Sequence, residues 1–152
     1  MSDELSPAAH AAAIDATRQE LIRFVERCGA EQWRACPVDG DPRPVSVITD
    51  HVADAYGYLG GYISELLAGG SPQVTEELID GFNAKHAAQA TALTQHYVAD
   101  HLRSAGDTII AMIGGLSPDQ LALGDGRVAA FAEVAARHAR SHREELEAAL
   151  RS

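Results

Sequence analysis

From Arg127 to Leu150 the chain contains neither Gly nor Pro and is rich in Ala, Glu, Leu and Arg. These straight-chain and small side chains lose little freedom in a helix, so the segment predicts a long helix over 127–150. That helix constrains the rest of the chain. A helix of this kind is stable only when its apolar stripe is buried against other elements, and the remaining sequence offers three more with the same periodicity. Ser6-Pro7 reads as an N-cap followed by a first-turn proline, opening a helix over about 7–28 that stops at Gly29. Its Ile14, Leu21, Val25 and Cys28 recur at helical spacing. Ser46 is the expected N-cap of a second helix over 47–67, with Ile48, Val52, Ala55, Leu59, Ile63 and Leu66 as its stripe and Gly69-Gly70 as its end. A third, about 94–113, uses Val98, Leu102, Ala105, Ile109, Met112 and Ile113 and meets Gly114-Gly115. Strand-like alternation and solenoid-length repeats do not occur. The expectation is one all-α domain over residues 1–152, a four-helix bundle.

The connections refine this picture. Cys36 to Pro44 holds three prolines and is a loop. Ser117-Pro-Asp-Gln120 starts a brief helical turn, and Gly124-Asp-Gly126 is a turn before the last helix. The loops after the first and third long helices are short enough for antiparallel neighbours. The connection after the second, from Gly70 to Thr91, is about twenty residues and is expected to cross over the bundle rather than close a hairpin. A short helical piece is expected within it around 75–82.

With 152 residues, 46 % apolar and 22 % charged, the chain has the balance of an ordinary globular domain. A net charge of −10 without a Lys/Arg cluster argues against nucleic acid and anionic membrane surfaces as partners. No apolar run has the length of a membrane span, and the acidic N-terminus lacks a signal-peptide core. Two cysteines, Cys28 and Cys36, are too few for a disulfide scaffold, which suits a cytoplasmic setting. A homodimer is compatible with a small bundle, although nothing in the sequence identifies an interface.

Chemistry concentrates in histidine. His138 and His142 are four apart on the last helix, so their Cβ atoms lie about 5–6 Å apart on one face. Both ring nitrogens can then reach one metal ion at about 2.0–2.1 Å. His51, bordering the buried stripe of the second helix, is the candidate third ligand. Three imidazoles without a cysteine leave coordination positions open, the pattern of catalytic rather than structural zinc. Zinc or nickel suits imidazole, and ferrous iron is also within its range. Position 139 is Ala, so the pair is not the His-Glu-x-x-His of zinc proteases. Asp54, one turn after His51, and Glu145, three after His142, are candidates to hold an imidazole N–H or act as a base. In so acidic a chain a solvated carboxylate is the commoner fate. Tyr58 and Tyr62 share a helix with His51 and can line a pocket. His86 lies in the long connection. His96 and His101, five apart, do not form a chelating pair.

Pro44-Val-Ser-Val-Ile-Thr-Asp-His51-Val-Ala, followed much later by His138-x-x-x-His142, resembles the DinB-like family of metal-binding four-helix bundles. The same superfamily includes mycothiol-dependent maleylpyruvate isomerase-like proteins. The resemblance spans nearly the whole chain. It implies that His51, His138 and His142 bind a divalent metal, and that the activity is thiol-dependent transfer or isomerisation of a small molecule with mycothiol, bacillithiol or glutathione. Many members carry Trp just before the Ser or Thr of the second helix, where this chain has Val45. Two other classes stand beside this one: a metal- or ligand-binding bundle without turnover, linked to stress or sequestration, and a helical dimerisation module with incidental histidines.

Overall fold

The structure, a computed structural model, describes residues 4–74 and 93–151. Six helices and no strand occur among them: α1 (Pro7–Arg27), α2 (Ala30–Arg34), α3 (Val45–Leu67), α4 (Gln95–Gly114), α5 (Pro118–Leu121) and α6 (Leu123–Leu150). The four long helices form the bundle. The expected short helix around 75–82 and His86 lie outside the described residues.

Local chemistry accounts for most of the boundaries. Ser6 Oγ accepts from the Ala9 amide at 3.1 Å, and Pro7 takes the position where a missing N–H costs nothing. Thr94 caps α4 in the same way. Ser117 and Gln120 form a reciprocal capping box on α5. The third helix corrects one expectation. Ser46 is not its N-cap: α3 starts at Val45 behind Pro44, and Ser46 is buried inside its first turn. Proline's fixed φ pre-sets the entry, so a side-chain cap is dispensable. The short α2 was not expected; it is held by tertiary contact, with the buried Trp33 donating its indole N–H to Leu93 O at 2.9 Å.

The last helix begins with a break. Gly124, Asp125 and Gly126 all have left-handed φ values, +65°, +57° and +83°. A side chain at Gly124 would also strike Leu66 of α3, 2.7 Å from the site of its Cβ. The regular helix therefore runs from about Arg127, burying Val128, Ala132, Ala135, Ala139 and Leu146. Small residues along this face let α6 approach its neighbours closely, while Ile14, Leu21, Ile48, Ile63, Leu102 and Ile109 fill the interior. Each such side chain contributes about 1.5–3 kcal/mol by leaving water.

Side-chain pairings set the helix directions. Gln95 at the start of α4 donates to the carbonyls of Val25 and Cys28 at the end of α1, so these two helices are antiparallel. Glu20 meets Arg143 at 3.0 Å while the C-terminal ends of α1 and α6, Phe24 and Leu150, line one cavity, so these are parallel. Asp50 meets His101, and Ser64 meets Met112, so α3 and α4 are parallel. His51 faces His138, and Tyr62 faces Phe131, so α3 and α6 are antiparallel. The order is up-down-down-up. Parallel α3 and α4 put the end of one and the start of the other at opposite ends of the bundle, so they do not form a hairpin. Residues 75–92 between them lie outside the described residues. The expectation of adjacent neighbours after the first and third long helices is corrected. Both α1 and α3 pack on α4 and α6, which places α1 across a diagonal from α3 and α4 across the other from α6. The two loops join antiparallel helices, but across the bundle rather than along its edge.

Arg18 shows how α1 and α4 interlock. Its guanidinium donates to Arg103 O at 2.6 Å, Asp107 at 2.8 Å and Asp15 at 2.7 Å. The side chain passes over Gly106, where a Cβ would lie 2.7 Å from Nη1. Any larger residue at this point of α4 would have to push the Arg18 side chain aside.

Candidate metal centre

His51 is held on the buried side of α3 near the end where the loop 35–44 delivers the chain into the bundle. His138 and His142 lie one turn apart on α6, beside the buried Ala135 and Ala139. The antiparallel packing of α3 on α6 brings the three rings together. Centroids are 5.0 Å apart for His51 and His138, 6.0 Å for His51 and His142, and 4.5 Å for the pair on α6. One nitrogen from each lies within 4.8 Å of the others, and among the described residues this is the only group of three or more His, Cys, Asp or Glu donors so arranged.

The pair on α6 is the tighter part. His138 Nε2 and His142 Nε2 are 2.9 Å apart. Two nitrogens on one ion at about 2.0–2.1 Å, with angles from 90° to tetrahedral, would be roughly 2.9–3.4 Å apart, so the pair has the spacing of two ligands of one metal. On the far side of His142, Nδ1 lies 3.5 Å from Glu145 Oε1. A carboxylate there favours Nδ1–H and leaves the Nε2 lone pair turned toward the cluster.

The electrostatics favour the neutral form of the two rings on α6. Burial pushes the His138 imidazole down to about 3, reinforced by the charges of His142, His51 and Arg43. Burial also lowers His142, against the opposing pull of Glu145. Neutral imidazole is the form that binds metal. Arg43 was not anticipated from the sequence. It sits in the loop before α3, held by a bidentate pair with Asp41 (Nε–Oδ1 3.0 Å, Nη2–Oδ2 2.8 Å). Its guanidinium holds the Asp41 carboxyl below its usual range. The i,i+2 spacing of Asp41 and Arg43 around a proline is the sequence signal that could have marked this clamp.

The other expected residues fall around this cluster. Asp54 lies 3.7 Å from Nε2 of His101, whose Nδ1 is 2.7 Å from the buried Asp50. These carboxylates tie α3 to α4. Tyr58 stacks obliquely between His51, at 6.5 Å, and Tyr62, at 5.9 Å, and Tyr62 continues to Phe131 at 5.4 Å. An aromatic row thus leads away from the histidines along the α3–α6 seam. Cys28 is half-buried and Cys36 exposed, and both are free thiols.

An up-down-down-up helical bundle with three histidines converging from α3 and α6 defines the class: an all-α protein whose polar centre is a histidine cluster in the seam between two antiparallel helices. Among known families, the DinB superfamily model matches residues 13–150, and the chain belongs to that superfamily. No curated protein matches the chain. No helix among the described residues is long and apolar enough to cross a membrane.

Proposed function

We propose that the chain binds one divalent metal ion through His51, His138 and His142 and uses it in thiol-dependent transfer or isomerisation of a small molecule. The observation that carries this reading is the convergence of three imidazole nitrogens, one each from His51, His138 and His142, within 4.8 Å of one another. Three protein ligands leave positions for a substrate. Zinc or nickel suits this donor set, with ferrous iron next. When bound, such an ion deprotonates a coordinated low-molecular-weight thiol at neutral pH or polarises a carbonyl.

The chain's own residues complete the scheme. Glu145 accepts from Nδ1 of His142 and orients the ring. Arg43, clamped by Asp41, places positive charge beside the cluster, where it favours an anionic co-substrate. Tyr58 and Tyr62 supply an apolar wall for its organic part. Asp54 and Glu145 are the carboxylates available as bases. A cytoplasmic setting accords with two free cysteines, and a homodimer with the size of the bundle.

The test is metal analysis of protein purified without a histidine tag, beside His51→Ala, followed by a panel of thiols with electrophilic acceptors. Near-stoichiometric metal that is lost in the variant is expected, with turnover that depends on both metal and thiol. Substoichiometric metal in the wild type would overturn the site. Stoichiometric metal without turnover across the panel would leave a binding protein.

A further inference from the structure

A second cavity, of about 690 Å³, opens at the end of the bundle where α1 and α6 begin, away from the turn of α6 that carries His138 and His142. Its size is that of a small-molecule site. Leu5, Pro7, Leu121 and Ala129 provide apolar walls. At its floor lies His10, only 3 % exposed. The His10 ring has no hydrogen bond, ion pair or ring contact among the described residues, whereas its backbone amide is satisfied by Ser6 O at 2.9 Å. Neither ring nitrogen is among the buried side-chain atoms left without a partner, so the ring opens to the cavity, where a ligand can reach it.

The charge around this floor has one sign. Glu4, Asp125 and Glu133 line the cavity as exposed rim residues, and no Lys or Arg lines it. The adjoining helix starts offer an anion little, because a proline removes one first-turn amide from each and a serine caps another. Ser6 Oγ caps Ala9 N at 3.1 Å, and Ser117 Oγ caps Gln120 N at 3.2 Å. A bare metal ion is also disfavoured, since the rim carboxylates and His10 do not bring three donors within 4.8 Å of one another.

We propose that this cavity binds a small organic cation, an amine with an apolar body, whose ammonium donates to the His10 ring under the field of Glu4, Asp125 and Glu133. The apolar walls take the hydrocarbon part, and the rim carboxylates select its charge.

The test is a titration of the full chain with cyclohexylammonium, followed on the histidine ring resonances by ¹H–¹⁵N NMR. Size-matched cyclohexanol and cyclohexanecarboxylate serve as controls. A saturable shift of the His10 ring with the ammonium, much weaker with both controls, is expected, while His138 and His142 stay unmoved. Glu133→Gln, at an exposed position, is expected to weaken ammonium binding by about two- to five-fold. Absence of a saturable His10 shift, equal response to alcohol or carboxylate, or unchanged affinity in Glu133→Gln would each overturn the proposal.

Discussion

His138 Nε2 and His142 Nε2 lie 2.9 Å apart, with Glu145 set 3.5 Å behind the second ring. Removing either nitrogen should lower metal affinity by more than about 100-fold, because the second-shell partners of such ligands alone account for 10–100-fold. Glu145→Gln, which keeps the shape and weakens the acceptor, should cost roughly ten-fold. Competition against a chromophoric chelator measures both. Equal affinity in Glu145→Gln and wild type would show that the carboxylate has no orienting role.

The metal-free protein should lose stability in acid through His138. Its folded value is held down at about 3, below the ordinary 6.5, chiefly by burial. Between these values the unfolded chain binds a proton that the folded chain does not, so stability rises with pH across this window and is lost as pH falls from about 6.5 toward 3. Urea midpoints of metal-free protein at pH 7 and pH 4.5 report the drop. His138→Phe should flatten that dependence, and an unchanged slope would refute the assignment.

Gly106→Ala should destabilise the fold by about 1–3 kcal/mol, because the new methyl displaces Arg18 from its three acceptors on α1 and α4. Thermal unfolding of the single variant and of the double variant with Arg18→Ala provides the check. The loss at Gly106 should shrink in the double variant, since the two sites share one space. Additive losses would place the strain elsewhere.

Gln95→Leu should cost about 1–3 kcal/mol by leaving the carbonyls of Val25 and Cys28 without their donor. Trp33→Phe removes one N–H to Leu93 O while keeping most of the ring, and should cost less, about 1 kcal/mol. Chemical unfolding ranks the two, and the reverse order would show that α2 rather than the α1–α4 junction limits stability.

Much of the bundle was legible because it is local. The Ser6-Pro7 start, the Ser117–Gln120 capping box and the Gly124–Gly126 turn are written in a few adjacent residues, and the helical stripes follow from a 3.6-residue period. The start of α3 was misplaced by two residues because proline and a serine cap both announce a helix, and only packing chooses between them. The diagonal placement of α1 against α3 was not legible either. Loop length limits distance, not which of two neighbours a helix selects.

The histidines divide along the same line. Sequence alone determined that His138 and His142 share a face, because four residues are about one turn of a helix. That His51 meets them depends on α3 running antiparallel to α6 at one register, a product of side-chain packing over sequence separations that no local rule spans. The Asp41–Arg43 clamp beside the cluster, the Asp50–His101 tie and the empty-handed His10 were likewise decided only by tertiary structure. Burial and long-range charge, which set how each of these groups behaves, exist only once the chain has closed on itself.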